Sequence, residues 1–146
     1  MSNYKKIAIQ LVNLVTTISN RFPDDKKISL AKTAIETLKN HNTRTLATFY
    51  ISQIYLRKVN GIMFKDIIAK RDLNFFLENN ILKEKEIKII SKNVSILKDE
   101  NEMDTFVENL MSHWSELTDE EQESVWVYFD VLNLLSEKII RENMNL

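Results

Sequence analysis

Cysteine is absent from this 146-residue chain, and glycine and proline occur only once each, as Gly61 and Pro23. Without cysteine the chain can form no disulfide, no thiol nucleophile and no thiolate metal site, which is the usage typical of a reducing compartment. Sheet-rich folds need many tight turns, and tight turns draw heavily on glycine and proline. The scarcity of both residues therefore predicts few, long elements and an all-α fold.

Long apolar runs are also missing. A membrane span needs roughly 18 to 20 apolar residues, and the nearest candidate, Ile7 to Ile18, is interrupted by polar residues and lacks a small-residue cleavage site. We therefore expect no signal peptide, no secretion and no membrane span. With 44% hydrophobic and 28% charged residues, the composition is that of a soluble globular protein. The length predicts one domain covering residues 1–146.

Apolar residues recur at helical spacing along most of the chain. The first stripe ends at Arg21-Phe22-Pro23, and Asp24 or Asp25 can cap a second helix because a short acceptor side chain satisfies a free amide there. The stripes of these two helices are Ile7, Leu11, Leu14, Ile18 and Ile28, Ala31, Ile35, Leu38. Further helices are expected at about 44–59, within 62–77 as one broken or two short helices, at 83–97 and at about 104–113.

The segments between these helices have local signals of their own. The polar run 39–43 is expected to form a turn, and 99–102 a charged linker. Gly61 should end or kink the third helix because glycine adopts the left-handed conformation without a steric penalty. Together with the terminal helix, these elements predict a compact bundle of about six or seven helices.

The terminal helix is expected to begin at Thr118, where Thr118 and Glu121 fit the S/T-x-x-E capping box. It carries two apolar stripes, one of Val125, Phe129, Leu132, Leu135, Ile139 and one of Trp126, Val127, Val131, Leu134. A helix that is apolar over so much of its circumference must be covered on several sides. The helix is therefore expected either to be central in the bundle or to offer half of its circumference to a partner.

Charge is divided along the chain. Residues 1–98 carry 18 Lys and Arg against 8 Asp and Glu, whereas residues 99–146 carry 2 against 13, so a net charge of −1 hides halves of +10 and −11. Two interpretations stay open. The halves can pack together and compensate each other, or the molecule can be a dipole that docks by electrostatic steering.

No set of residues indicates chemistry. Only His41 and His113 could act as histidine bases, and no triad partner accompanies either. The spacing of Glu116, Glu120 and Glu123 could hold a hard cation, but acidic residues at a helix start are ordinary partners of the helix dipole. We therefore expect a protein that is not an enzyme, with no catalytic residue, no cofactor, no metal and no small-molecule substrate.

Tryptophan supplies the strongest signal for a docking surface. Large aromatic residues are enriched at interfaces, although at helical spacing beside Leu and Val they are more often core. The candidate partner-binding residues are Trp114, Glu116, Asp119, Glu120, Glu123 and Trp126. Nucleic-acid binding is not favoured, because only five arginines occur and the lysines are scattered over separate helices.

Two blocks of the chain resemble short helical proteins of nucleocytoplasmic large DNA viruses, of the mimivirus and phycodnavirus kinds. The blocks are 64–72 with Phe75-Phe76-Leu77, and Trp114, Leu117, Val125-Trp126, Tyr128 with 132–140; Val127 stands where that pattern has a basic residue. The resemblance covers roughly 50–141. It implies a viral protein of the host cytoplasm or the virion, and it implies no activity.

The resulting functional prediction is a non-enzymatic protein-interaction protein, acting as a structural or assembly component of a large DNA virus. Its partner would be a viral or host protein, with a second copy of the chain as one candidate. The alternatives are a soluble viral regulator that binds a host or viral protein, and a nucleic-acid-associated protein.

Overall fold

The computed structural model describes residues 1–59, 61–72, 106–107 and 109–144. Their elements in chain order are α1 (Asn3–Arg21), α2 (Lys26–His41), α3 (Thr43–Tyr50), a π-helical turn (Ile51–Tyr55), β1 (Lys58–Val59), β2 (Ile62–Met63), α4 (Phe64–Ala69), a 3-10 turn (Trp114–Glu116) and α5 (Asp119–Met144). The predicted helix at 83–97, the linker at 99–102 and residues 73–77 of the segment 62–77 lie outside the described residues.

α1 ends and α2 begins where the sequence predicts. α1 ends at Arg21, and the Asp25 carboxylate caps α2 by accepting from the amides of Lys27 and Ile28 at 3.0 and 3.1 Å. The predicted turn at 39–43 is shorter in the structure. α2 continues to His41, and the Asn42 side chain already caps α3 by accepting from the Thr45 amide. Asn42 alone therefore separates α2 from α3, where the sequence predicted a turn of five residues.

The prediction of a third helix to Val59 is confirmed as far as Tyr55 and is wrong for the last four residues. α3 ends at Tyr50 and passes into the π-helical turn, after which Lys58–Val59 pairs antiparallel with Ile62–Met63. Gly61 has a φ of +80°, as predicted, but it serves the turn of this hairpin and not a helix end. The sequence Asn60-Gly61 is a strong hairpin signal, and here it outweighs the helical periodicity of the apolar residues before it.

α5 packs against α1, and α1 in turn packs against α2 and α3. α1 runs antiparallel to α5, since Asn3 donates to Glu142 at one end and Arg21 donates to Glu121 at the other. α4 and the π-helical turn contact α5 on another side. The described part of the chain is therefore an all-α bundle with one two-residue hairpin, which confirms the fold class. Residues 106–107 and 109–112 are helical, within the predicted helix at 104–113.

The two apolar stripes of α5 differ in solvent exposure. The first stripe, from Val125 to Ile139, is buried in the core. Of the second stripe only Trp126 is buried; Val127, Val131 and Leu134 are 47%, 36% and 53% exposed. The helix is central on one face, and its other face carries an exposed row of Val127, Val131 and Leu134, here called the apolar row.

Candidate functional site

The two tryptophans form a buried pair. Trp114 and Trp126 are 6% and 5% exposed, and their rings are tilted by 57° with centroids 4.9 Å apart. This is a favourable aromatic geometry. It also corrects the expectation that both residues lie on a docking surface, because in this fold their rings fill the core under the start of α5.

The acidic members of the predicted docking set lie at the surface. Asp119, Glu120 and Glu123 are exposed on the first turns of α5, and Glu116 is exposed on the 3-10 turn. Two of them have partners within the chain: Glu116 contacts His113, and Glu123 lies 3.5 Å from Arg71. The acidic surface is therefore real, but it is separate from the tryptophans.

The predicted capping box at the start of α5 is confirmed. Thr118 Oγ1 accepts from the Glu121 amide at 3.1 Å, and Glu121 Oε1 accepts from the Thr118 amide at 2.9 Å. The other carboxylate oxygen of Glu121 accepts from Arg21 Nε at 2.8 Å. The hydrogen bond from the Thr118 amide lowers the pKa of Glu121, and the Arg21 guanidinium adds to this effect. One side chain thus caps α5 and joins it to α1.

His113 lies between two carboxylates. Its Nε2 is 2.7 Å from Asp25 Oδ2, and its Nδ1 is 2.5 Å from Glu116 Oε2. Its ring stacks on Phe22 with centroids 4.2 Å apart and planes 13° from parallel. Ionised carboxylates only accept hydrogen bonds, so the form that satisfies both contacts is the imidazolium, which donates from both nitrogens. An open cleft of about 380 Å³ borders this cluster.

The pKa values of this cluster shift in opposite directions. The Glu116 hydrogen bond raises the pKa of His113 against partial burial, and Asp25 raises it further. Burial alone would raise the pKa of Asp25, but the hydrogen bond from His113 and the amides of Ile28 and Lys27 lower it overall. The raised pKa favours the imidazolium form of His113, which links the start of α2 to the 3-10 turn through Asp25 and Glu116.

This cluster makes stability depend on pH. Because the folded-state pKa of His113 is raised, its contribution is fully present below the unfolded value near 6.5 and is lost as pH rises through the folded value. The contribution of Asp25 is present above about 3.8 and is lost as pH falls through its lowered value. We expect wild-type stability to fall by about 1 kcal/mol between pH 5.5 and 8.5 from this source.

Urea unfolding at both pH values measures this effect. In His113→Gln the fall should disappear, whereas His41→Gln, on the exposed last turn of α2, should keep the wild-type difference. Identical pH profiles for wild type and His113→Gln would contradict the assignment.

Arg71 joins α4 to α5 from a strained backbone position. Its φ is +53°, which costs a non-glycine residue roughly 1–2 kcal/mol. The amides of Arg71 and Asp72 donate to the carbonyls of Ile68 and Ile67 at 3.0 Å each, the hydrogen-bond pattern of a Schellman helix end. The guanidinium makes two parallel bonds to Asp130, at 3.0 and 2.8 Å, and lies 5.7 Å from the Trp126 ring centroid. These contacts offset the backbone strain.

A second polar contact to α5 comes from Tyr50, at the end of α3. Its side chain is fully buried, and its hydroxyl donates to Asn133 Oδ1 at 2.7 Å. Burial raises the pKa of Tyr50 well above its usual value, and the nearby Asp130 carboxylate raises it further. Tyr50 is therefore a neutral hydrogen-bond donor that fixes the end of α3 against α5.

The apolar row borders a shallow groove between α1 and α5. The groove has a volume of about 280 Å³ and is lined by Gln10, Glu123, Ser124, Val127, Tyr128 and Val131. Its walls are mostly apolar, and its rim carries one carboxylate. Three apolar side chains on successive turns beside an open groove are the arrangement that another helix can cover.

Within the described ranges no helix is long and apolar enough to cross a membrane, and no group of three His, Asp or Glu side chains is arranged to hold a metal ion. No protein-family model, curated protein or solved structure matches this chain. The resemblance to proteins of large DNA viruses stays a prediction.

Two of these features could not be predicted from the sequence. The Asp25–His113 contact joins residues 88 positions apart, and the left-handed Arg71 has no local sequence signal. The exposed apolar row corresponds to one of the two outcomes expected for the terminal helix, in which half of its circumference is left for a partner. Val127, Val131 and Leu134 repeat at steps of four and three on the side of α5 opposite the core stripe, which is the spacing of a helix contact seam.

Proposed function

We propose that this chain is a non-enzymatic protein-interaction protein that serves as a structural or assembly component of a large DNA virus. The observation that supports the interaction role is the apolar row, which exposes three apolar side chains on the central helix of the bundle. Such side chains at helical spacing, rimmed by polar residues, mark protein interaction sites. The viral assignment rests on the sequence resemblance alone.

The position of His113 supports a role without catalysis. Histidine is the side chain that most often acts as a catalytic base. Each ring nitrogen of His113, however, is hydrogen-bonded to a carboxylate. A general base needs a ring nitrogen free to accept a proton from a substrate. The cluster is better explained as a link between α2 and the 3-10 turn.

The test is quantitative mass spectrometry of purified virus particles and of infected-cell cytosol. A structural component should be enriched in particles relative to cytosol, at a copy number comparable to other particle proteins. Val131→Asp places a charge in the apolar row and should lower incorporation at least several-fold. Leu30→Asp, at a residue 62% exposed on α2, should leave incorporation unchanged.

The other outcomes identify the alternatives. A protein found only in cytosol contradicts the structural role and favours a soluble regulator. A protein that binds nucleic acid with an affinity falling steeply with added salt is a nucleic-acid-associated protein instead.

A further inference from the structure

One exposed face of α5 carries a complete helix contact seam. Seven residues follow each other at alternating steps of four and three, and all seven are exposed. They are Glu120, Ser124, Val127, Val131, Leu134, Lys138 and Arg141, here called the seam. This is the spacing that keeps one edge of a helix facing a neighbouring helix, and it extends the apolar row by two residues in each direction.

The order of residues along the seam fits a second copy of itself in the antiparallel direction. A two-fold axis through Val131 places Val131 against Val131, Val127 against Leu134 and Ser124 against Lys138 of the second copy. The same axis places Glu120 against Arg141, so unlike charges meet at both ends. A parallel pairing would put Glu120 beside Glu120 and Arg141 beside Arg141, and like charges repel.

Most of the carboxylates beside the seam have partners within each copy. On one side, Asp130 and Glu123 contact Arg71 at 2.8 and 3.5 Å, and Glu137 contacts Arg141. The guanidinium of Arg141 has five N–H donors, so it can keep Glu137 while it faces Glu120 of the second copy.

The row on the other side of the seam is occupied as well. Glu121 binds Arg21, and Glu142 accepts from Asn3. Arg21 compensates the charge of Glu121, whereas the neutral Asn3 side chain orients Glu142 without compensating its charge.

The groove beside the apolar row provides space for the contact. It lies between α1 and α5 and is bordered by Val127, Tyr128 and Val131. In the antiparallel arrangement Leu134 of the second copy lies next to Val127, at this groove. A volume of about 280 Å³ is large enough to receive a leucine side chain.

We propose that the seam is a symmetric dimer interface, in which α5 of one chain packs antiparallel on α5 of a second copy. The inference rests on the proposed function, since it names the partner of the same apolar row. Seven residues per copy are fewer than the ~20 to 30 of a standard interface. The dimer is therefore reversible, with a dissociation constant of roughly micromolar or weaker.

Sedimentation equilibrium of the full chain from about 10 µM to 1 mM tests the association. The wild type should shift from monomer towards dimer as concentration rises. Val131→Asp sets two carboxylates against each other at the axis and should weaken association at least tenfold, while Leu30→Asp should not change it. Glu120→Arg should also weaken it, and adding Arg141→Glu should restore it, because the two unlike pairs are then formed again.

Disulfide trapping tests the geometry and does not depend on Val131→Asp folding. The chain has no cysteine, so each introduced thiol is unique. Val131→Cys should crosslink with itself under mild oxidation. Ser124→Cys should not, because two copies of residue 124 would lie roughly 21 Å apart along the helices, far beyond disulfide reach. A mixture of Ser124→Cys and Lys138→Cys should crosslink.

Two results would overturn the dimer. One is a wild-type chain that stays monomeric up to 1 mM, and the other is Ser124→Cys crosslinking with itself as readily as Val131→Cys. A monomeric chain that is still enriched in particles, and that loses enrichment with Val131→Asp, would retain the proposed function with a different protein on the apolar row. A chain that forms the dimer but is absent from particles would retain the dimer interface and contradict the proposed role as a particle component.

Discussion

Replacing Trp126 by alanine should lower the free energy of unfolding by about 3 to 5 kcal/mol. The side chain is 5% exposed and packs on Trp114, and the Arg71 guanidinium lies over its ring. Alanine would remove this apolar area from the core and leave a cavity beneath the first turns of α5. The same change would also remove the aromatic ring that the Arg71 guanidinium contacts.

Urea unfolding followed by circular dichroism measures the loss, and the next residue provides a matched control. Val127 is a neighbour on the same helix but is 47% exposed, so Val127→Ala should cost less than about 0.5 kcal/mol. The combined Trp114→Ala and Trp126→Ala variant should depart from additivity, because the two rings are in contact. If Trp126→Ala were as stable as Val127→Ala, Trp126 would not be a core residue and would again be a candidate for the docking surface.

Replacing Asn133 by leucine should cost about 1 to 3 kcal/mol, the second largest effect that we expect. Asn133 Oδ1 accepts the hydrogen bond of the Tyr50 hydroxyl, and Tyr50 is fully buried. Leucine offers no acceptor, so the hydroxyl would be left without its partner in the core. A buried unpaired donor costs more than the net value of the hydrogen bond that it replaces.

Adding Tyr50→Phe to Asn133→Leu isolates this cause. Removing the hydroxyl should recover most of the lost stability, so the double variant should be more stable than Asn133→Leu alone in chemical unfolding. Asn13→Leu, at an exposed position of α1, should be nearly neutral. If the double variant instead loses the sum of the two single losses, the hydrogen bond contributes nothing specific.

The parts of the fold that could be predicted depend on neighbours in sequence. Asp25 and Thr118 begin their helices as predicted, because a capping side chain acts on amides two or three residues away. The buried stripe of α5 follows from the same short-range periodicity. The hairpin at Gly61 also had a local signal, but the apolar residues around it fit a helix equally well, and only packing decides between the two.

The candidate site was less predictable because its contacts join distant parts of the chain. Trp114 and Trp126 lie in the same sequence segment as the exposed acidic residues, yet they point into the core while Glu120 and Glu123 remain in solvent. Periodicity separates the faces of a helix but does not say which face a neighbour covers. Arg21–Glu121 and Arg71–Asp130 show that the basic and acidic halves do compensate each other where they touch.

The antiparallel packing of α1 on α5 has a consequence for biosynthesis. About 100 residues separate the end of α1 from the start of α5, and ribosomes add roughly 5 to 20 residues per second. The apolar stripe of α1 therefore emerges about 5 to 20 s before the helix that covers it. α2 and α3 both pack on α1 and emerge before α5, so they are the first of the described helices to cover part of its apolar surface.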